Sequence, residues 1–103
     1  MKNTTILITG ASSGIGKAIA ELFAKNGARL ILCGRRQERL DQLKDSLNTE
    51  VHLLNFDVRD RTAVFKAIES LPSQWKQIDV LINNAGNAHG LDPVQTANLD
   101  DWD

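Results

Sequence analysis

The sequence predicts an α/β domain built on a doubly wound parallel sheet, on three observations. Four short apolar runs alternate with helical patterns in the order β-α-β-α-β-α-β. The runs are continuously apolar rather than alternating, as strands are when helices cover both faces of a sheet. Between the first run and the first helix lies a glycine-rich turn, Gly10-Ala11-Ser12-Ser13-Gly14-Ile15-Gly16.

Each element has its own signal. Residues 5–9 (Thr-Ile-Leu-Ile-Thr) form a short buried strand that stops at Gly10. Ile15, Ala18, Ile19, Leu22 and Phe23 then fall at i, i+3, i+4, i+7 and i+8, one apolar face of a helix. Asn26-Gly27 closes it, with glycine at the usual helix-terminating position. A second strand covers 30–33, and Leu40, Leu43 and Leu47 mark a second helix. The third strand spans 51–56. Val64, Ala67, Ile68 and Leu71 repeat the helical spacing until Pro72 ends it. The fourth strand spans 78–82. A loop rich in Asn, Gly and Asp follows, and Asn98-Leu99-Asp100-Asp101 reads as a cap and acidic first turn of another helix. In the order 3-2-1-4 the fourth strand is an exposed apolar edge, which favours association through that edge.

Composition narrows the class. At 103 residues the chain suits one domain, and a net charge of −1 offers no global attraction to nucleic acid or an acidic membrane. Cys33, the single cysteine, excludes an internal disulfide and reads as a buried, inert thiol. No apolar stretch is long enough for a signal peptide or a membrane span, so the expected location is cytoplasmic.

Glycines between a first strand and its helix let the backbone turn tightly and approach an anion, which then faces the positive end of the helix. Ser12 and Ser13 add hydroxyl donors. A phosphate-binding P-loop requires glycine at 11 and Ser or Thr at 18, and both positions are alanine. NAD-binding and methyltransferase domains place a carboxylate at the end of the second strand for the ribose hydroxyls. Here that place reads Cys33-Gly34-Arg35-Arg36. Two arginines point instead to a ribose bearing a 2′-phosphate. Unit charges ~4 Å apart at an effective dielectric of ~20 interact by about 4 kcal/mol, so a carboxylate there would disfavour the phosphate roughly a thousandfold. Arg35 and Arg36 reverse that sign and can donate paired hydrogen bonds.

Thr9-Gly10-x-x-x-Gly14-x-Gly16, Asp57-Val58 after the third strand and Asn83-Asn84-Ala85-Gly86 after the fourth occur together at the spacing of the short-chain dehydrogenase/reductase family, which the chain closely resembles along essentially all its length. The resemblance implies a Rossmann-type sheet of which strands 1–4 are present, and NADP as cofactor. It implies that Gly10, Gly14 and Gly16 shape the pyrophosphate turn, with Ser12, Ser13 and Ile15 in contact. Asp57 would accept from the adenine amino group, Val58 would pack beside the ring, and Asn84, Ala85 and Gly86 would line the adenosine ribose and the path to nicotinamide. Arg35 and Arg36 would select the phosphorylated dinucleotide. Valine at Gly14 or Gly16 is expected to abolish cofactor binding and spare the fold.

The departure from the family is the absence of tyrosine. Members move the hydroxyl proton with a Tyr and a Lys four residues apart, so the expectation is a truncated part of a longer enzyme, inactive alone, with no catalytic residue in these 103 positions. The alternative is a stand-alone NADP(H)-binding or sensing module. His89, in the loop after the fourth strand, reads as a surface residue, and His52 as an exposed strand residue. The run 34–40 and the segments 84–86 and 101–103 look like those of NADP-dependent 3-hydroxy acid dehydrogenases, which oxidise serine-like hydroxy acids. The partners implied are a small-molecule substrate and, for the full-length enzyme, further copies of itself; neither nucleic acid nor membrane is expected. No metal ligands are expected.

Overall fold

A computed structural model describes residues 2–57, 59–84 and 96–97. Val58, Ala85, Gly86, His89 and the cap expected at Asn98 lie outside the described residues. The order is β1 (Thr5–Thr9), α1 (Gly14–Lys25), β2 (Arg29–Gly34), α2 (Gln37–Ser46), β3 (Val51–Asn55), α3 (Arg61–Glu69), a 3-10 turn at Ser73–Trp75, β4 (Val80–Asn83) and β5 (Thr96–Ala97). The strands lie in the order β3-β2-β1-β4-β5. The first four are parallel, as expected.

Two apolar layers sandwich the sheet. On one face Ile6, Ile8, Leu30, Leu32 and Ile82 pack with Ala20 and Ala24 of α1 and Leu40 and Leu43 of α2. On the other, Leu7, Ile31, Cys33, Leu54 and Leu81 pack with Leu71 and Trp75 around α3. Every residue of β1 is buried because it sits mid-sheet with helices on both sides.

Four expectations are corrected. β4 is not an exposed edge: β5 pairs with it antiparallel, Leu81 with Ala97 and Ile82 with Thr96. Strand 4 begins at Val80 rather than at 78. Asp79 is occupied in anchoring β1, its carboxylate accepting from the Thr5 N–H (2.8 Å) and its own N–H donating to the Thr5 carbonyl (2.9 Å). The buried face of α1 is Gly16, Ala20 and Ala24, flanked by Ile19 and Phe23, whereas Ile15 and Leu22 are 48% and 58% exposed. Small residues turn toward the sheet because they allow the helix to come close to it. Finally, His52 is half-buried, with its ring 5.6 Å from that of Trp75. Burial and the nearby Lys44 charge lower its pKa.

Among the described residues, no helix is long and apolar enough to cross a membrane.

Candidate functional site

The carboxyl ends of β1 to β4 converge on one cleft of about 560 Å³. Its lining includes Gly10, Ser12, Ser13, Gly14 and Ile15 from the first turn, and Gly34, Arg35, Arg36 and Arg39 from the end of β2 and the start of α2. Phe56, Asp57 and Arg59 follow β3, and Asn84 follows β4. Open parallel sheets bind ligands in such a crevice beyond the strand ends.

The glycine turn is held by a compact set of hydrogen bonds. Gly10 takes a φ of 62°, the left-handed region that favours glycine. Its carbonyl accepts from the Ser13 N–H (3.1 Å), the Ser13 hydroxyl (2.9 Å) and Asn84 Nδ2 (3.1 Å). Ser13 caps α1: its Oγ accepts from the Gly16 N–H (3.1 Å) and also from Asn84 Nδ2 (2.8 Å). Asn84 is therefore a buried strut joining the end of β4 to the turn, as well as part of the cleft wall. Its neighbour Asn83 accepts from the Thr9 hydroxyl (2.9 Å), a side-chain link between the ends of β4 and β1.

The two later glycines have different reasons for being glycine. A Cβ on Gly14 would have nothing within 4 Å, so the space beside it belongs to the cleft. A Cβ on Gly16 would overlap the Gly10 carbonyl oxygen and lie 2.8 Å from Ala11 Cα. The expectation that valine at Gly16 spares the fold is corrected accordingly: that glycine permits the helix to contact its own turn. Gly14 and Ile15 sit in the first turn of α1, where N–H groups have no intrahelical partner and the helix end is positive.

Arg35 is exposed (61% of its side chain), and Arg36 occupies the N-cap position of α2 without a side-chain capping bond. Cations at that end of a helix are unfavourable by themselves, which makes sense if an anion is to bind there. A Cβ on Gly34 would stand 3.3 Å from Leu40 Cδ2 and 3.4 Å from Ser12 Oγ, so an acidic side chain at this strand end would be crowded as well as electrostatically wrong. The buried Cys33 thiol also lines the cleft, and burial pushes its pKa up.

The structure adds Arg39 and Arg59, which the sequence reading passed over. Arg39 follows Arg36 by three residues, one helical turn, and that spacing is a readable signal. Arg59 binds Asp57. Its backbone N–H donates to Oδ1 (2.9 Å), its Nε to Oδ1 (3.1 Å) and its Nη2 to Oδ2 (2.9 Å). Arg35 Nη1 stands 3.9 Å from the same Oδ2. The hydrogen bonds from Arg59, together with the Arg59 and Arg35 charges, hold the Asp57 carboxyl down at about 2. No cluster able to hold a metal ion occurs among the described residues.

The cleft has a positive helix end, a glycine-rich turn, and four arginines and one carboxylate in its lining. This donor set fits a dinucleotide with an extra phosphate on its adenosine ribose.

Residues 4–103 match the family model described as short chain dehydrogenase. Over 98 residues the chain is 49% identical to the NADP-dependent 3-hydroxy acid dehydrogenase YdfG of Salmonella typhi, covering 95% of this chain and 40% of that protein. It is 47% identical over 98 residues to serine 3-dehydrogenase of Rhizobium radiobacter, covering 95% and 39%. Among solved structures it is similar to L-sorbose reductase from Gluconobacter frateurii complexed with NADPH and L-sorbose. That similarity has a TM-score of 0.74 and 40% identity, over 84% of this chain and 34% of the other. The chain thus spans about 40% of the length of the curated relatives it matches.

Proposed function

The chain belongs to the short chain dehydrogenase family, and from that premise we propose that it is the NADP-binding part of a longer single-domain oxidoreductase. The carrying observation is the arginine-lined cleft at the strand ends, with Gly34 where a carboxylate would reject a 2′-phosphate. When bound, NADP(H) supplies the hydride acceptor or donor. The α1 amino end and the Gly10–Gly16 turn hold its pyrophosphate, Gly14 leaving the room it needs. Arg35 and Arg36 hold the ribose phosphate, Ser12, Ser13 and Ile15 contact the turn side, and Asp57 receives the adenine edge. Asn84 keeps the turn in shape, and cofactor contact by Val58, Ala85 and Gly86, which lie outside the described residues, is part of the same proposal.

The proton that accompanies hydride transfer is handled elsewhere in the polypeptide, since these 103 residues contain no tyrosine. Residues 1–103 alone accordingly turn nothing over, and as about 40% of the length of their relatives they bind cofactor only weakly. The substrate in this reading is a small hydroxy acid or its carbonyl product, a 3-hydroxy acid such as serine, supported by the relatives at 49% and 47% identity. A cytoplasmic homo-oligomer is part of the same reading.

The test is fluorescence titration of NADPH and NADH into the product of the complete reading frame. NADPH binds tighter, and Arg35→Ala weakens it by about 1.5 kcal/mol, the low end for a charged hydrogen bond because the side chain is exposed, while NADH is nearly unaffected. Equal affinities, or tighter NADH, defeat the reading. The rival, a stand-alone NADP(H)-sensing module, is favoured by the missing tyrosine alone. It falls if the reading frame continues into a Ser…Tyr-x-x-x-Lys pattern.

A further inference from the structure

Asp57 is the one carboxylate among the described residues that line the cleft, and it shares the cleft with Arg35, Arg36, Arg39 and Arg59. An unguarded carboxylate in that place is a competitor. It carries the same charge as a phosphate and can capture the guanidinium meant for the ligand. Arg35 is already drawn toward it, at 3.9 Å, a distance at which charge attraction acts without a hydrogen bond. What stands in the way is Arg59. Its fork covers both carboxylate oxygens, and its backbone N–H adds a third short bond from the same residue. A carboxylate offers about four lone-pair sites, and Arg59 donates to both oxygens, including the Oδ2 that Arg35 stands near.

We propose that Arg59 is a positioning residue for recognition of the phosphorylated ribose. By occupying Asp57 it keeps Arg35 from closing onto that carboxylate, and so leaves the Arg35 guanidinium available to the phosphate. This rests on the reading of the cleft as the NADP site. Arg59 itself need not touch the ligand. Its effect on selectivity passes entirely through Asp57, and that dependence separates it from a third phosphate-binding arginine.

The experiment is a double-mutant cycle on the product of the complete reading frame, read by calorimetry with two probes, adenosine 2′,5′-bisphosphate and adenosine 5′-monophosphate. The ratio of their affinities isolates the 2′-phosphate and needs no turnover. Wild type binds the bisphosphate tighter; a preference for the monophosphate would sink the NADP reading itself, and this inference with it. Arg59→Gln lowers the ratio about tenfold, the scale of losing the one charged hydrogen bond from Arg35 to the phosphate. In the Asp57→Asn background the same substitution changes the ratio by less than about twofold, because no carboxylate remains to capture Arg35. An equal loss in both backgrounds would make Arg59 a direct phosphate ligand and overturn the proposal. An unchanged ratio in Arg59→Gln would overturn it too. Circular dichroism checks each variant. If Arg59→Gln does not fold, Arg59→Lys decides: its single ammonium cannot cover both oxygens, so a drop of about threefold is expected in the Asp57 background alone, and none there refutes the idea.

Discussion

Gly16→Ala is the smallest perturbation that tests how the turn is built. In a helix interior the exchange of Gly for Ala is worth up to about 1 kcal/mol in favour of alanine. At Gly16 the added Cβ meets the Gly10 carbonyl oxygen and Ala11 Cα, both backbone atoms that no rotamer change can move aside. Overpacking of this kind costs about 1–3 kcal/mol. Moving the Gly10 carbonyl away also strains its bonds from the Ser13 N–H, the Ser13 hydroxyl and Asn84 Nδ2, each worth about 1 kcal/mol. Clash and lost bonds outweigh the propensity gain, for a net destabilisation of about 2–4 kcal/mol. Urea unfolding followed by circular dichroism reads this as a lower midpoint at unchanged slope. Gly14→Ala is the control: with nothing within 4 Å of its Cβ, it leaves the midpoint where it was or slightly higher. Gly14→Val keeps the fold and loses NADPH. A Gly16→Ala protein as stable as wild type would refute the close contact between helix and turn.

Asp57 and helix α1 give two more tests. The Asp57 carboxyl is held at about 2, below its ordinary value of 3.8, so its ion pair with Arg59 stabilises the fold above pH 4 and that stabilisation fades as the pH falls toward 2. Carboxyl carbon NMR should follow the group titrating near 2, and Arg59→Gln should move the midpoint up toward the ordinary value; a midpoint near 4 in wild type contradicts the ion pair. On α1, Leu22→Gln should alter stability by no more than about 0.5 kcal/mol, because the side chain is 58% exposed, whereas Ala20→Leu should cost about 1–3 kcal/mol by overpacking a fully buried position. Equal effects in thermal melts would put the buried face back on Leu22.

The alternation of continuous apolar runs with helical spacing was enough to determine the parallel sheet, because strands buried on both sides tolerate almost no polar residue. It also located the end that carries the cleft: Gly10, Arg35, Asp57 and Asn84 each stand just past the end of a strand, and in a parallel sheet those ends must meet. Arg35 and Arg36 stood out as candidate anion ligands because a charge where an opposite charge is expected is a local signal, and both line the cleft. Tertiary structure decided what depends on contact between distant positions. Which face of α1 is buried turned on small residues whose value is close approach, and hydrophobic periodicity gives Gly16 and Ala20 little weight against Ile15 and Leu22. The strut from Asn84 to Gly10 and Ser13 joins residues more than seventy positions apart. β5 acquired its place only from the unpaired edge of β4, since two residues carry no periodicity to read. The Asp57–Arg59 pair spans two positions, yet sequence cannot say that a carboxylate faces its neighbour rather than the solvent. That was decided when β3 ended beside β2 and brought Asp57 within 3.9 Å of Arg35.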